Sequence, residues 1–348
     1  METITWAILA VAAATSAASA ETYELTMGSS HPTVVPWVGK LSDLVVAQTN
    51  LRLEAMGSED RVIWTESYGG ALFGFNDTLE AIQDGLADAG WVGAGLWEEA
   101  KMPLETVTFY APFITDDQVA LMQIMDDLHS EGGPMAKAWS DNNLVFLGSS
   151  GVDTYHLLTT FPVTSLEDLR GKKILAPGPS GNWMTAVGAV PVNGALPTYY
   201  NTLQTGAADG VISIITGTAP NKIHEVAPYL TLVGIGAQYT GGFAFNKDSW
   251  DGLSDDVRTV LTELGHEYSV AHAEEVTARY TAILQAQRDN PAVTVTELPA
   301  EERAKWIAAL PNLAGDWAKG IDGGPETLEA LMSAVDAAGI EPGRDWRQ

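Results

Sequence analysis

Short apolar runs that end in glycine recur along this chain, and most are followed by a stretch with helical spacing. "TYELTMGSS" (22–30) alternates apolar and polar positions as a strand does and precedes a helix expected from about Pro36 to Asn50. "DRVIWTESYGG" (60–70) is a second strand entering a loop at Gly69 and Gly70. The helix predicted over Thr78–Asp84 stops at Gly85, and "LADAGWVGAG" (86–95) then supplies a buried strand. A long helical stretch is expected near Asp116–Asp141. After it "NLVFLGSS" opens a second series, continued by "KKILAPG", "AVPVNG" and "ADGVIS". Strand, helix, strand is the pattern of parallel sheets covered by helices. With 348 residues the economical arrangement is two α/β lobes, whose binding crevices lie at the carboxyl ends of the strands.

One segment is of another kind. From Ser254 to about Asp289 apolar residues recur at Val257, Val260, Leu261, Leu264 and Tyr268, after a serine suited to an N-cap and two aspartates suited to the helix dipole. A helix of some thirty residues spans roughly 45 Å, enough to lie across both lobes as a shared spine.

Composition removes several classes of function. The chain has no cysteine, so thiol catalysis, cysteine-ligated zinc and disulfides are excluded. A formal charge of −27 argues against nucleic acid and anionic lipid as partners. Residues 1–20, "METITWAILAVAAATSAASA", read as a secretory signal ending at Ala18-Ser19-Ala20, though the n-region lacks a basic residue. Beyond it no run approaches the ~18 apolar residues of a membrane span, so a mature chain without membrane insertion is expected.

Catalytic motifs are missing. "GSSG" and "GPSG" are not nucleophile elbows, and His224-Glu225 and His266-Glu267 lack the second histidine of a zincin. "GIGAQY" lacks the third glycine of a dinucleotide loop, and no glycine loop carries the Lys-Ser/Thr of a P-loop. No cofactor and no metal are expected. An enzyme, a periplasmic hydrolase or lyase on the same architecture, remains the alternative from another class.

Four stretches together resemble the DctP-type substrate-binding proteins of TRAP (tripartite ATP-independent periplasmic) transporters: "APF" (111–113), "SLEDLRGKKI" (165–174), "YYNTLQTGAADG" (199–210) and "GGFAFNKDSWDGLSDDV" (241–257). The resemblance runs from about Thr22 to about Asn290. It implies an α/β, two-lobed periplasmic binding protein fold with a long connecting helix and a ligand cleft between the lobes. Lobe I would be 21–150 plus about 232–275, and lobe II 151–231 plus about 276–348. It further implies a periplasmic receptor, not an enzyme, that closes on a small organic solute and delivers it to membrane permease subunits.

The resemblance also implies a carboxylate-binding arginine at the end of "KKIL", where this chain has Leu175. A second arginine of some members falls on Tyr155, and a frequent asparagine falls on Ser213. A buried carboxylate needs charged or multiple donors, and leucine offers only packing. The expected ligand is therefore cationic or neutral, held by aromatic faces and hydroxyls. The alternative is an organic acid held by a relocated cation such as Lys173 or Arg61. Expected ligand-binding residues are Tyr155, Leu175, Trp183, Ser213, Trp91, Trp97 and His31, with Tyr68 beside Glu66. Asp153 and Glu66 are candidate counter-ions.

Overall fold

The computed structural model describes residues 20–130 and 132–348, leaving the expected signal, apart from Ala20, outside the described residues. Among the described residues eleven strands form two sheets: β1 (Thr22–Gly28), β2 (Arg61–Ser67), β3 (Ala89–Val92), β4 (Leu144–Val152), β5 (Tyr155–Thr159), β6 (Lys173–Ala176), β7 (Val190–Asn193), β8 (Gly210–Ile214), β9 (Tyr229–Leu232), β10 (Gln238–Asn246) and β11 (Thr294–Glu297). The first sheet has the order β2-β1-β3-β10-β4 and the second β11-β9-β5-β8-β6-β7.

The sheets are mixed rather than parallel. β1 pairs parallel with β2 and β3, but β10 enters antiparallel between β3 and β4. In the second sheet β5 runs antiparallel to both β8 and β9. The reason is that, apart from the later passage along a long helix to β11, the chain changes sheet at two short connections, Asp153-Thr154 and 233–237. The strand delivered by each passage enters its new sheet without a helical crossover to set it parallel.

The two passages are bonded to each other and to the elements beside them. The Gly236 N–H donates to Thr154 Oγ1 (3.0 Å) and the Ile235 N–H to the Tyr155 carbonyl (3.3 Å). His156 Nδ1 accepts from the N–H groups of Val233 (3.2 Å) and Gly234 (3.3 Å), while its Nε2 meets the Tyr280 hydroxyl at 2.8 Å. On the other side Arg303 donates Nε to the Val233 carbonyl (3.1 Å) and Nη2 to that of Gly234 (2.8 Å). Burial holds His156 neutral, with its pKa lowered to about 3.

The long helix, Asp255–Asp289, is 35 residues long and is capped as its sequence predicts: Ser254 Oγ accepts from the Val257 N–H. Its first half buries Val257, Val260, Leu261, Leu264 and Tyr268 with Leu25, Trp91 and Phe243 of the first sheet. Its second half lays Tyr280, Ile283 and Leu284 against Leu158, Val211 and Leu230 of the second. The close contact with β4 is made by two glycines: a Cβ on Gly148 would collide with the Gly265 carbonyl, and one on Gly265 with that of Leu147. The expected helix near 116–141 is two helices, Gln118–His129 and Ala136–Asp141. Gly132 adopts φ +82° in the break between them.

Candidate functional site

The carboxyl ends of β1, β2 and β3 form one wall. Backbone bonds tie these ends together: Ser29 N–H to Ser67 carbonyl (3.0 Å), Gly69 N–H to His31 carbonyl (2.9 Å) and Gly70 N–H to Ser29 carbonyl (3.2 Å). Rings converge here. The His31 imidazole lies edge-on to Trp37 (5.6 Å), Phe75 (4.9 Å) and Trp91 (5.2 Å). Burial lowers its pKa to about 4, so the ring is neutral at physiological pH. Its Nδ1 meets Ser30 Oγ at 3.0 Å. Trp91 is buried, with its indole N–H on Ser150 Oγ (2.7 Å).

Tyr68 is half-buried beside exposed Glu66, which accepts from Ser42 Oγ at 2.5 Å. Burial, then the Glu66 charge, pushes the Tyr68 phenol up, keeping it a donor. Its hydroxyl lies near Glu66 and Ser42 without a hydrogen bond of good geometry. Trp97 closes the short helix Ala94–Trp97, and its side chain lies outside the described residues.

The opposite wall comes from the ends of β6, β7 and β8. Beyond Ala176 the chain turns through Gly178 (φ +50°) into the helix Gly181–Ala186. A Cβ on Gly178 would stand 3.3 Å from the Leu96 carbonyl, so the two walls touch there. A depression of about 350 Å³ lies on this wall, lined among others by Ala176, Pro179, Asn182 and Asn193.

The remaining expected residues divide between two packed clusters. Tyr155 and Trp183 are buried with Phe109: Trp183 stacks on Phe109 (5.7 Å, 8°), donates Nε1 to the Phe109 carbonyl (2.9 Å) and meets Tyr155 edge-on at 5.4 Å. Burial pushes the Tyr155 phenol up. Leu175, 1% exposed, lies in the other cluster with Leu158, Tyr199, Leu203 and Val211, whereas its neighbours Ile174 and Ala176 belong to the cluster of Tyr155. Ser213 is buried opposite His156 in the β5–β8 ladder.

Asp153 is buried in the first passage and bonded to the start of the helix Ile215–Thr218. It accepts from the Ile215 N–H (2.9 Å), the Thr216 N–H (3.3 Å) and the Thr216 hydroxyl. Desolvation raises its pKa to about 6 despite these bonds.

Two features had no distinct sequence signal. Trp37 reads as one apolar position of a helix, yet with Leu96 it packs against the core clusters of both sheets. Glu105 is fully buried and accepts from Tyr239 Oη (2.7 Å), Trp139 Nε1 (3.0 Å) and His129 Nε2 (2.9 Å). These partners are scattered from 105 to 239, so only folding reveals the network. Among the described residues no group of three or more His, Asp or Glu could hold a metal ion, and no helix is long and apolar enough to cross a membrane.

Known proteins share this architecture. A solved TRAP periplasmic solute-binding protein from Ochrobactrum anthropi superposes with a TM-score of 0.75 at 21% identity, covering 92% of this chain and 96% of that one. The C4-dicarboxylate-binding periplasmic protein DctP of Rhodobacter capsulatus is 36% identical over 156 residues, 44% of this chain and 45% of that protein. The ectoine-binding periplasmic protein TeaA of Halomonas elongata is 23% identical over 232 residues, 65% of this chain and 67% of the relative. The chain thus spans about half the length of the first curated relatives it matches. The family described as "Bacterial extracellular solute-binding protein, family 7" (DctP) matches residues 67–319, and with the two-sheet fold built around one long helix, this chain belongs to that family.

Proposed function

We propose that the protein is a periplasmic receptor of a TRAP-type transporter, which binds a small organic solute between its lobes, delivers it to membrane permease subunits, and takes a solute without net negative charge. Family membership supports the receptor role. One lobe is assigned residues 21–150 with about 232–275, the other 151–231 with about 276–348. Closure is a population shift in which the solute stabilises the closed state by touching both walls.

The observation that carries the ligand reading is where the cations lie. Leu175, where the resemblance implies the family's arginine, is packed among apolar side chains. Arg61 and Lys173, the candidates for a relocated cation, begin β2 and β6, at the ends remote from the cleft. Arg61 donates to the carbonyls of Ser58 (3.3 Å) and Asp60 (2.7 Å). A carboxylate entering a dry cleft without a cationic partner loses several kcal/mol on desolvation. A neutral or cationic solute meets rings and neutral donors instead.

The second reading, an organic acid, is favoured by the name of the Rhodobacter relative. A thermal-shift screen of the purified chain separates the two. Stabilisation by amines, polyols or zwitterions and not by succinate or malate supports the proposal; stabilisation by dicarboxylates alone overturns its ligand part. Turnover of a chromogenic ester or glycoside would overturn the receptor role.

A further inference from the structure

Buried donors without acceptors are uncommon in folded proteins, because each costs free energy that a partner would restore. The indole N–H of Trp37 is such a donor: it is shielded from solvent and makes no hydrogen bond. It cannot relax easily, since its ring is held 5.6 Å from His31 and 5.9 Å from Trp91 and its carbonyl takes the Tyr268 hydroxyl at 2.9 Å. Trp37 also packs against the clusters of both sheets, which places it where the two walls meet. The Tyr68 hydroxyl, on the same wall, is a second buried group without a well-formed bond.

The charges around this wall are one-sided. Lys40 is bound to Glu275 at 2.8 Å, and Arg279 donates to the Val34 carbonyl at 2.6 Å while also pairing with Glu275. Neither cation is free for a ligand. Glu66 is exposed beside Tyr68. The wall therefore offers aromatic rings and a carboxylate to a cation, and neutral N–H and O–H groups to an acceptor.

We propose that the site takes a small zwitterion, whose cationic part lies along the aromatic wall near His31 and Tyr68 and whose acceptor oxygen takes the indole N–H of Trp37. The inference rests on the receptor reading above and narrows it. A zwitterion suits a wall whose cations Lys40 and Arg279, among the described residues, are already paired, because its own positive group balances the acceptor charge and no arginine is required. The ring faces favour the cationic end.

The test uses the full mature chain, wild type and Trp37→Phe, titrated calorimetrically with glycine betaine, proline betaine, tetramethylammonium and succinate. Phenylalanine keeps an aromatic ring and removes the donor. The expected result is that at least one betaine binds, that W37F weakens it about ten- to hundredfold, the span of one hydrogen bond to a charged group, and that tetramethylammonium is unaffected by the substitution. An equal betaine affinity in wild type and W37F overturns the role of Trp37 while leaving the receptor reading intact. Failure of both betaines at millimolar concentration overturns the zwitterion class, and binding of succinate alone overturns the ligand reading beneath it. Independently of the variant's folding, 15N-labelled wild-type protein reports on the same donor: the Trp37 indole resonance moves downfield with the bound betaine, and an unmoved resonance overturns the contact.

Discussion

At the scale of single residues, Leu175, where the resemblance implies an arginine, is packed among apolar side chains. It is 1% exposed among Leu158, Tyr199, Leu203 and Val211. Leu175→Ala is expected to lower stability by about 2–5 kcal/mol, the range for a buried leucine, with little change in solute affinity; urea titration and calorimetry measure the two separately. Leu175→Arg is expected to lower the melting temperature without conferring succinate binding, since the new charge replaces apolar packing. A stable variant that gains succinate affinity would show that this position reaches the cleft. That the resemblance implies an arginine where this chain has Leu175 was legible in the motif. That it packs in a different cluster from Tyr155 was not, because the face of a strand residue at a loop junction depends on what covers each side.

At the scale of elements, the long helix and the passages between the sheets carry the argument. The helix was readable from its spacing and its Ser254 cap, but its contact with β4 was not. Gly265 looks like a weak point in a helix until Leu147 and Gly148 are placed against it. Gly265→Ala is expected to destabilise by about 1–3 kcal/mol or more through overpacking, although alanine is the better helix former. A gain in melting temperature would contradict that close contact. At the second passage, His156→Leu would leave the Val233 and Gly234 N–H groups without their acceptor, costing about 1–3 kcal/mol. The expected signature is faster amide hydrogen exchange over 233–237, read by mass spectrometry. Unchanged exchange would mean that Arg303 and the bonds to Thr154 and Tyr155 hold the segment without His156.

For the whole molecule, protonation links these sites to stability. His31 and His272 have pKa values lowered by burial to about 4, and His156 to about 3. The unfolded chain takes up protons on these rings near pH 6.5 while the folded chain does not. Their contribution is therefore complete above about pH 6.5 and is lost as pH falls toward 4 and then 3. His129 works in the opposite sense. Burial opposes its charge, but Glu105 and the Met125 carbonyl outweigh it and raise the pKa. Its contribution is complete below the unfolded value and fades as pH rises through the folded one. Urea midpoints are expected to fall between pH 7 and pH 4.5. Replacing His156 should flatten part of that slope, and an unchanged slope would show that this ring is not the source. The sequence by itself determined the alternating elements, the spine helix, the acidic charge and the ordered motifs of the family, because each is written in local spacing or composition. Only the tertiary structure decided which rings gather around His31, that Asp153 is bonded to a helix start, and that the Trp37 N–H is buried without an acceptor. Those depend on residues far apart in the chain meeting in space, and local spacing carries no record of such meetings.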